Sequence, residues 1–344
     1  MRITSTQLDY TYYAIFEIHK YEIVFHDGDG SVLDSKTIEY GTQGIPEPSK
    51  VPYLDDSELD LYSTYGFVGY TDNQLTNKVV DLAGTTVRNN TDYYPVFEEI
   101  SVYDNIHPEY FTAKDFRTGV QLTLAKQVQG KITIPATFGG KNVVSINSSF
   151  ANWENDSTGI APMGQYLTHV FFALDTKIES FEMYTFFGHN SSADRSLLKF
   201  VEFPDTLTSI GDYAFARCGA LDYRPVTNDP EKITTARISG KNVTYVGQMA
   251  FQQAFANYAV NNFMIGSKVE RIGQYAFRND RLTYSNIIIG TPTELSQLQF
   301  QTASPVACFN ESGANVTFHS EYYDAADQPA ISPFFQNASA VTII

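Results

Sequence analysis

The chain has 344 residues, 43% of them hydrophobic, and a formal net charge of -16 at pH 7. That length predicts two or three domains, and the apolar share suffices for sizeable cores, which excludes disorder as the default state. The charge, with no basic cluster to oppose it, excludes nucleic acid as a partner and disfavours acidic membranes. Aromatic residues make up 14%, mostly Tyr and Phe, a bias that suits strands. No apolar run approaches the ~20 residues that span a bilayer. Met1-Arg2-Ile3-Thr4-Ser5-Thr6 has no signal-peptide core. The expectation is therefore an excised mature region, a virion part assembled inside a cell, or an intracellular protein.

In chain order, the first feature is a duplicated segment. Thr11-Tyr12-Tyr13-Ala14-Ile15-Phe16-Glu17 recurs as Asp92-Tyr93-Tyr94-Pro95-Val96-Phe97-Glu98. Both read as strands. Tyr21, Ile23 and Phe25 alternate as another strand, Asp27-Gly28-Asp29-Gly30 is a turn signal, and Val32-Leu33 with Ile38-Glu39-Tyr40 reads as the return strand. Tyr65-Gly66-Phe67-Val68-Gly69-Tyr70 follows.

Residues 21–98 resemble the Listeria–Bacteroides repeat, or internalin B-repeat. The resemblance is carried by Tyr21-Glu22-Ile23-Val24-Phe25, Asp29-Gly30-Ser31-Val32-Leu33, Ile38-Glu39-Tyr40-Gly41, the segment 65–70 and Thr91 to Phe97. Tyr70 stands where that family has Trp, and Tyr65 and Gly66 are in swapped order. The resemblance implies a small β-grasp-like spacer of a surface protein. Residues 1–20 then read as the remnant strand of a preceding repeat, 21–99 as the module, and 100–130 as a linker or N-terminal cap.

A second repeat fills residues 131–344. Its clearest copies are Leu207-Thr208-Ser209-Ile210-Gly211-Asp212-Tyr213-Ala214-Phe215, Val243-Thr244-Tyr245-Val246-Gly247-Gln248-Met249-Ala250-Phe251 and Val269-Glu270-Arg271-Ile272-Gly273-Gln274-Tyr275-Ala276-Phe277. Each follows a short apolar strand, as in Val201-Glu202-Phe203-Pro204. Such units cannot bury their apolar side alone, so a stacked solenoid is predicted. The Ile-Gly step is expected to give a sharp turn, and the Ala-Phe pair to place one small and one large group inside. The pattern resembles the BspA-like, Treponema pallidum-type leucine-rich repeat, whose signature is met almost fully from Phe203-Pro204 through Cys218. Members of that family are mostly adhesins, and related repeats occur in phage virion proteins. The predicted fold is mainly β: a β-grasp-like small module, then a leucine-rich-repeat solenoid with short strands and short helical or 3-10 segments.

Side chains alternate in and out along a strand. With Ile132 and Ile134 inward, the outward row is Thr133, Phe171, Glu202, Arg237, Met264, Ile288, Thr317 and Thr342. Thr133, Phe171, Glu202, Arg237, Met264 and Ile288 form the candidate ligand-binding row. Phe171, Met264 and Ile288 would be exposed apolar groups on a shared face, unless an insertion such as residues 151–166 folds over them.

Catalytic signals are weak by comparison. The Asp27 to Ser31 stretch has half the pattern of a calcium loop, but Val32 and Ile38 stand where Gly and Glu are required, so a plain hairpin turn is expected. His19, His26, His107, His169, His189 and His319 show no metal-ligand spacing. Cys218 and Cys308 read as buried core thiols, with a single bridge left open. No nucleophile-elbow, P-loop or Rossmann motif occurs. Neither a catalytic residue, a metal nor a cofactor is expected. The expected function is recognition or adhesion at an extracellular or bacterial cell surface, through a protein or glycan receptor. The alternative is a structural, fibre or decoration component of a bacteriophage virion, with other virion proteins as partners. Membrane insertion is not expected.

Overall fold

The computed structural model describes residues 17–147, 166–188, 197–219, 221, 242–254 and 270–278, together with the backbone of six further strands between residues 235 and 343. It is mostly β, with short strands and few helical turns. Two units separate. One comprises Met1–Pro52 and Phe67–Phe97, the other Tyr53–Gly66 and Glu98–Ile344.

In the sheet that carries the first unit's core, β1 (Lys20–His26) and β2 (Val32–Glu39) form an antiparallel hairpin, and β4 (Thr91–Ser101) runs parallel to β1. With β3 (Ser63–Thr71), the sheet order is β2-β1-β4-β3. The alternation read from Tyr21, Ile23 and Phe25 appears as burial: Ile23 and Phe25 enter a core with Ile45, Tyr70, Val87 and Tyr93. The Phe25 ring meets Tyr70 edge-on at 4.9 Å and stacks on Tyr93 at 5.5 Å. Tyr70 is thus a core ring. At the hairpin, Gly30 has φ +83° and its N–H donates to the Asp27 carbonyl at 3.0 Å. Asp27 and Asp29 accept from the Gly28 and Ser31 N–H groups, so both carboxylates serve the turn itself. The sheet does not distinguish a β-grasp module, and no α-helix occurs among the described residues of this unit.

The second unit includes a sheet of order β5-β6-β9-β8, from β5 (Phe111–Phe116), β6 (Gly119–Leu124), β8 (Thr137–Phe138) and β9 (Lys141–Ile146). The solenoid follows as parallel ladders. One face starts with β7 (Gln129–Ile134), β10 (Tyr166–Phe172) and β12 (Phe200–Val201). A further ladder on β14 (Thr235–Ile238), β16 (Asn262–Ile265), β18 (Asn286–Ile289), β20 (Asn315–Phe318) and β21 (Ala340–Ile343) keeps one register throughout. The Ile-Gly steps form a separate ladder of β11 (Ser180–Phe181), β13 (Ser209–Ile210), β15 (Tyr245–Val246), β17 (Arg271–Gly273) and β19 (Gln299–Gln301). Phe181, Ile210, Val246 and Ile272 align there and are buried.

The Ala-Phe pairs close the third side of each coil. Ala214, Ala250 and Ala276 are fully buried. Phe186, Phe215, Phe251 and Phe277 stack in file, with centroids 5.1, 5.1 and 5.6 Å apart. These separations approach the ~4.8 Å spacing of paired strands, so the rings repeat at the pitch of the backbone.

Glycine serves the coil differently from the sharp turn expected of it. Gly211, Gly247 and Gly273 do not have a positive φ. A Cβ at Gly211 would lie 2.7 Å from the Phe181 carbonyl oxygen, and one at Gly247 2.5 Å from the Asp212 nitrogen. The residue is small because the preceding coil's backbone occupies the space. The left-handed residue comes two positions later and is not glycine: Tyr213, Met249 and Tyr275 have φ of 56°, 52° and 55°. Such a conformation costs roughly 1–2 kcal/mol. Cross-coil hydrogen bonds offset it: the N–H groups of Tyr213, Phe215 and Arg217 donate to Gln248, Ala250 and Gln252 at 2.8, 2.7 and 2.7 Å. In the first such turn Glu182 replaces the glycine and Thr185 the alanine, as a terminal unit permits.

Gly247→Ala is therefore expected to destabilise the second unit by about 1–3 kcal/mol. The urea midpoint should fall with little change in slope. An unchanged midpoint would show that the coils can move apart without cost.

Candidate functional site

The ladders bring the sequence-predicted row together only in part. Thr133 pairs with Phe171, and the N–H of Glu202 donates to the Val170 carbonyl at 2.8 Å. Arg237, Met264, Ile288, Thr317 and Thr342 occupy one register position in the later ladder, while their side chains lie outside the described residues. The exposure expected for the first members is corrected. Thr133 is 1% exposed and Phe171 0%. They are covered by residues from 53–66 and 98–104. Residues 151–165, the cover considered from sequence, lie outside the described residues.

The cover has a polar anchor and an aromatic one. Lys131, on β7, is 5% exposed. Its Nζ donates to the Ser63, Asp60 and Asp56 carbonyls at 2.6, 2.8 and 3.4 Å. Three acceptors satisfy the three ammonium protons, which makes burial of the cation tolerable. Thr133 Oγ1 donates to the Val102 carbonyl at 2.6 Å. Asp56 is buried too and accepts from Thr64 Oγ1 at 2.7 Å and from the Tyr53 hydroxyl at 3.1 Å. Tyr62 and Tyr103 lie 6.2 Å apart, and their rings stand 6.0 and 6.1 Å from Phe171.

His169 pairs with Lys131 on one side and Phe200 on the other, and its ring stacks on Phe171 at 6.3 Å. Burial pushes its pKa down to about 3, with Lys131 and Lys199 adding like-charge repulsion. It is therefore neutral in the folded protein at ordinary pH. The sequence signal for this arrangement was a Lys and a His at matching places in apolar strands. Sequence reasoning weighed His169 only as a metal ligand and passed over Lys131.

Beyond the covered row lies a groove of about 390 Å³ between Tyr62 and the β10 and β12 chain segments. Phe172, Ala173, Leu174, Thr176 and residues 200–206 complete it. Glu202, the one member of the predicted row among the described residues that lines it, is half-buried. Its Oε1 accepts from the Tyr103 hydroxyl at 2.7 Å, and its Oε2 from the Phe172 N–H at 2.9 Å. Burial and Glu202 both push the Tyr103 pKa up, so the phenol stays a donor. Leu174 on the rim is 87% exposed, and Tyr62 52%.

Other sequence candidates place as follows. Cys218 is buried, its thiol donating to the Phe186 carbonyl at 2.7 Å. Cys308, His189 and His319 lie outside the described residues. Among the described residues, no three His, Cys, Asp or Glu side chains converge as a metal site, and no helix is long and apolar enough to cross a membrane.

Comparison with known proteins identifies the repeats. Residues 166–307 match the family model for the BspA type leucine rich repeat region, in six copies. These residues are a BspA-type leucine-rich-repeat region. A solved leucine-rich repeat protein from Bacteroides ovatus is 14% identical, with 68% of this chain and 75% of that one covered, at a TM-score of 0.27. No curated protein matches the chain.

Two outcomes follow from the cover. Lys131→Met leaves three carbonyls without their donor, and should cost about 2–3 kcal/mol. Amide exchange should quicken in residues 53–66 first. Exchange that stays unchanged there would mean that the aromatic contacts hold the segment unaided. The second outcome concerns pH. With a folded pKa of about 3 against 6.5 unfolded, the unfolded chain takes up a proton first as pH falls. His169 thus costs no stability above pH 6.5, and removes up to about 1.4 kcal/mol per unit as pH drops from 6.5 towards 3. His169→Gln should flatten the stability–pH curve over that interval. Parallel curves for the two proteins would refute the assignment.

Proposed function

We propose that this protein is a non-enzymatic recognition protein that binds a protein or glycan receptor at a cell surface. The observation that carries this reading is the match of residues 166–307 to a BspA-type repeat region. Stacked repeats present a long, regular surface from a rigid core, and the loops between them vary freely. Here the β14 to β21 ladder keeps one register, so Arg237, Met264 and Ile288 hold equivalent places along a single line. Those residues and Glu202 are the proposed contact positions. Thr133 and Phe171 have another task, holding the cover.

The resemblance of residues 21–99 to a B-repeat supports a spacer role for that segment, with residues 131–344 as the binder and residues 100–130 as their link or cap. A location outside the cell agrees with this division of labour. The high negative charge suits a soluble exposed protein and selects against polyanionic partners.

The test is saturable binding of the purified chain to bacterial and host cells, matrix proteins and glycans, combined with immunogold labelling by antibody to residues 131–344. Saturable binding and envelope label are expected. Weakening by a combined Arg237→Ala and Met264→Ala change would place the contact on the ladder. Label on phage particles, with none on envelopes, would replace the cellular adhesin with a virion component. Uniform failure to bind across the panel would count against recognition altogether.

A further inference from the structure

We propose that the groove beside Glu202 receives a basic side chain of a protein partner, an arginine in preference to a lysine. This rests on the reading of the chain as a recognition protein and names the chemistry of one of its contacts.

Among the described residues, the charged groups that line the groove are Glu202 and Asp205, and none is Lys, Arg or His. Its carboxylate is positioned before any ligand arrives. Tyr103 and the Phe172 N–H each donate to one oxygen of Glu202. An ionised carboxylate offers about four acceptor positions, so about two remain after these bonds. Beside it are two aromatic rings that cannot easily turn away. Tyr62 is braced by Tyr103 and Phe171, and Phe200 lies 5.5 Å from Phe171. Leu174, on the rim, offers an aliphatic surface.

An arginine matches each part. Its planar guanidinium stacks on aromatic faces and donates in a fork to carboxylate oxygens, and its methylene stem packs on an apolar rim. An ammonium satisfies the charge but stacks less well. An anion meets two carboxylates and a chain of net charge -16. A neutral sugar can use the rings and the acceptors but gains nothing from the charge. The same field speeds the approach of a basic segment. A groove of about 390 Å³ holds one such side chain together with part of its neighbours.

The experiment titrates the full chain with the blocked peptide Gly-Ser-Arg-Gly-Ser, followed by NMR. Matched peptides carry lysine or citrulline in place of arginine, and N-acetylglucosamine serves as the neutral probe. The expected result is weak, salt-sensitive binding of the arginine peptide, with shifts centred on Tyr62, Phe200 and Thr206. Citrulline should bind about 10-fold more weakly or not at all. Tyr62→Leu and Asp205→Asn should each weaken the arginine peptide about 3- to 10-fold. Thermal melts of both variants establish that they are folded. Equal binding of arginine and citrulline peptides would overturn the proposal. So would arginine binding that neither variant weakens, or tighter binding of N-acetylglucosamine at the same residues. Failure of the peptide alongside saturable cell binding would sink this inference and leave the recognition role standing. Peptide binding without any cell binding would do the reverse.

Discussion

The closeness of one coil's backbone to the next sets most of what this protein can be. At Gly211, Gly247 and Gly273 no Cβ fits, because the neighbouring coil's main chain is already there. That approach puts Phe186, Phe215, Phe251 and Phe277 into ring contact, and brings the N–H groups at and around Tyr213 and Met249 onto the next coil's carbonyls. Each coil alone would leave a strained residue and an exposed ring. Stacked, the same residues satisfy one another, which is why a repeat array is stable only as an array.

A solenoid built this way has two faces of different fate. The face carrying the Ile-Gly steps is tied into its own ladder. The face carrying β7, β10 and β12 would expose Phe171 and Phe200 if left bare. Residues 53–66 and 98–104 cover Phe171, and the lysine at its edge makes the cover specific. An apolar residue in place of Lys131 would pack equally well but would leave the Asp56, Asp60 and Ser63 carbonyls without their donor. The ammonium thus fixes where the segment lies, while Tyr62 and Tyr103 set their rings against Phe171.

The same cover creates the groove. Tyr62 forms one wall, and Tyr103 fixes the Glu202 carboxylate that the groove presents. In the proposed reading, recognition and packing are shared by the same few side chains. The acidic balance of the whole chain then acts at long range, repelling polyanions and favouring basic partners.

The repeat region was legible because its constraint is local and recurs: Ile-Gly-x-x-Ala-Phe reports the pitch of a coil every time it appears, and burial of Ile210, Ala214 and Phe215 follows from it. The strand alternation at Ile23 and Phe25 was legible for the same reason. The reason for the glycine was not, since a sequence shows that a residue is small and not what stands beside it. Nor was the fate of the outward row. Thr133 and Phe171 were placed correctly on one line by period alone, but their burial depends on residues 53–66 and 98–104, about thirty to 120 positions earlier in the chain. Alternation along a strand determines which side a residue takes. Only the tertiary structure decides whether that side meets water or another segment of the chain, because the contact is made by residues with no fixed sequence spacing to the strand they cover.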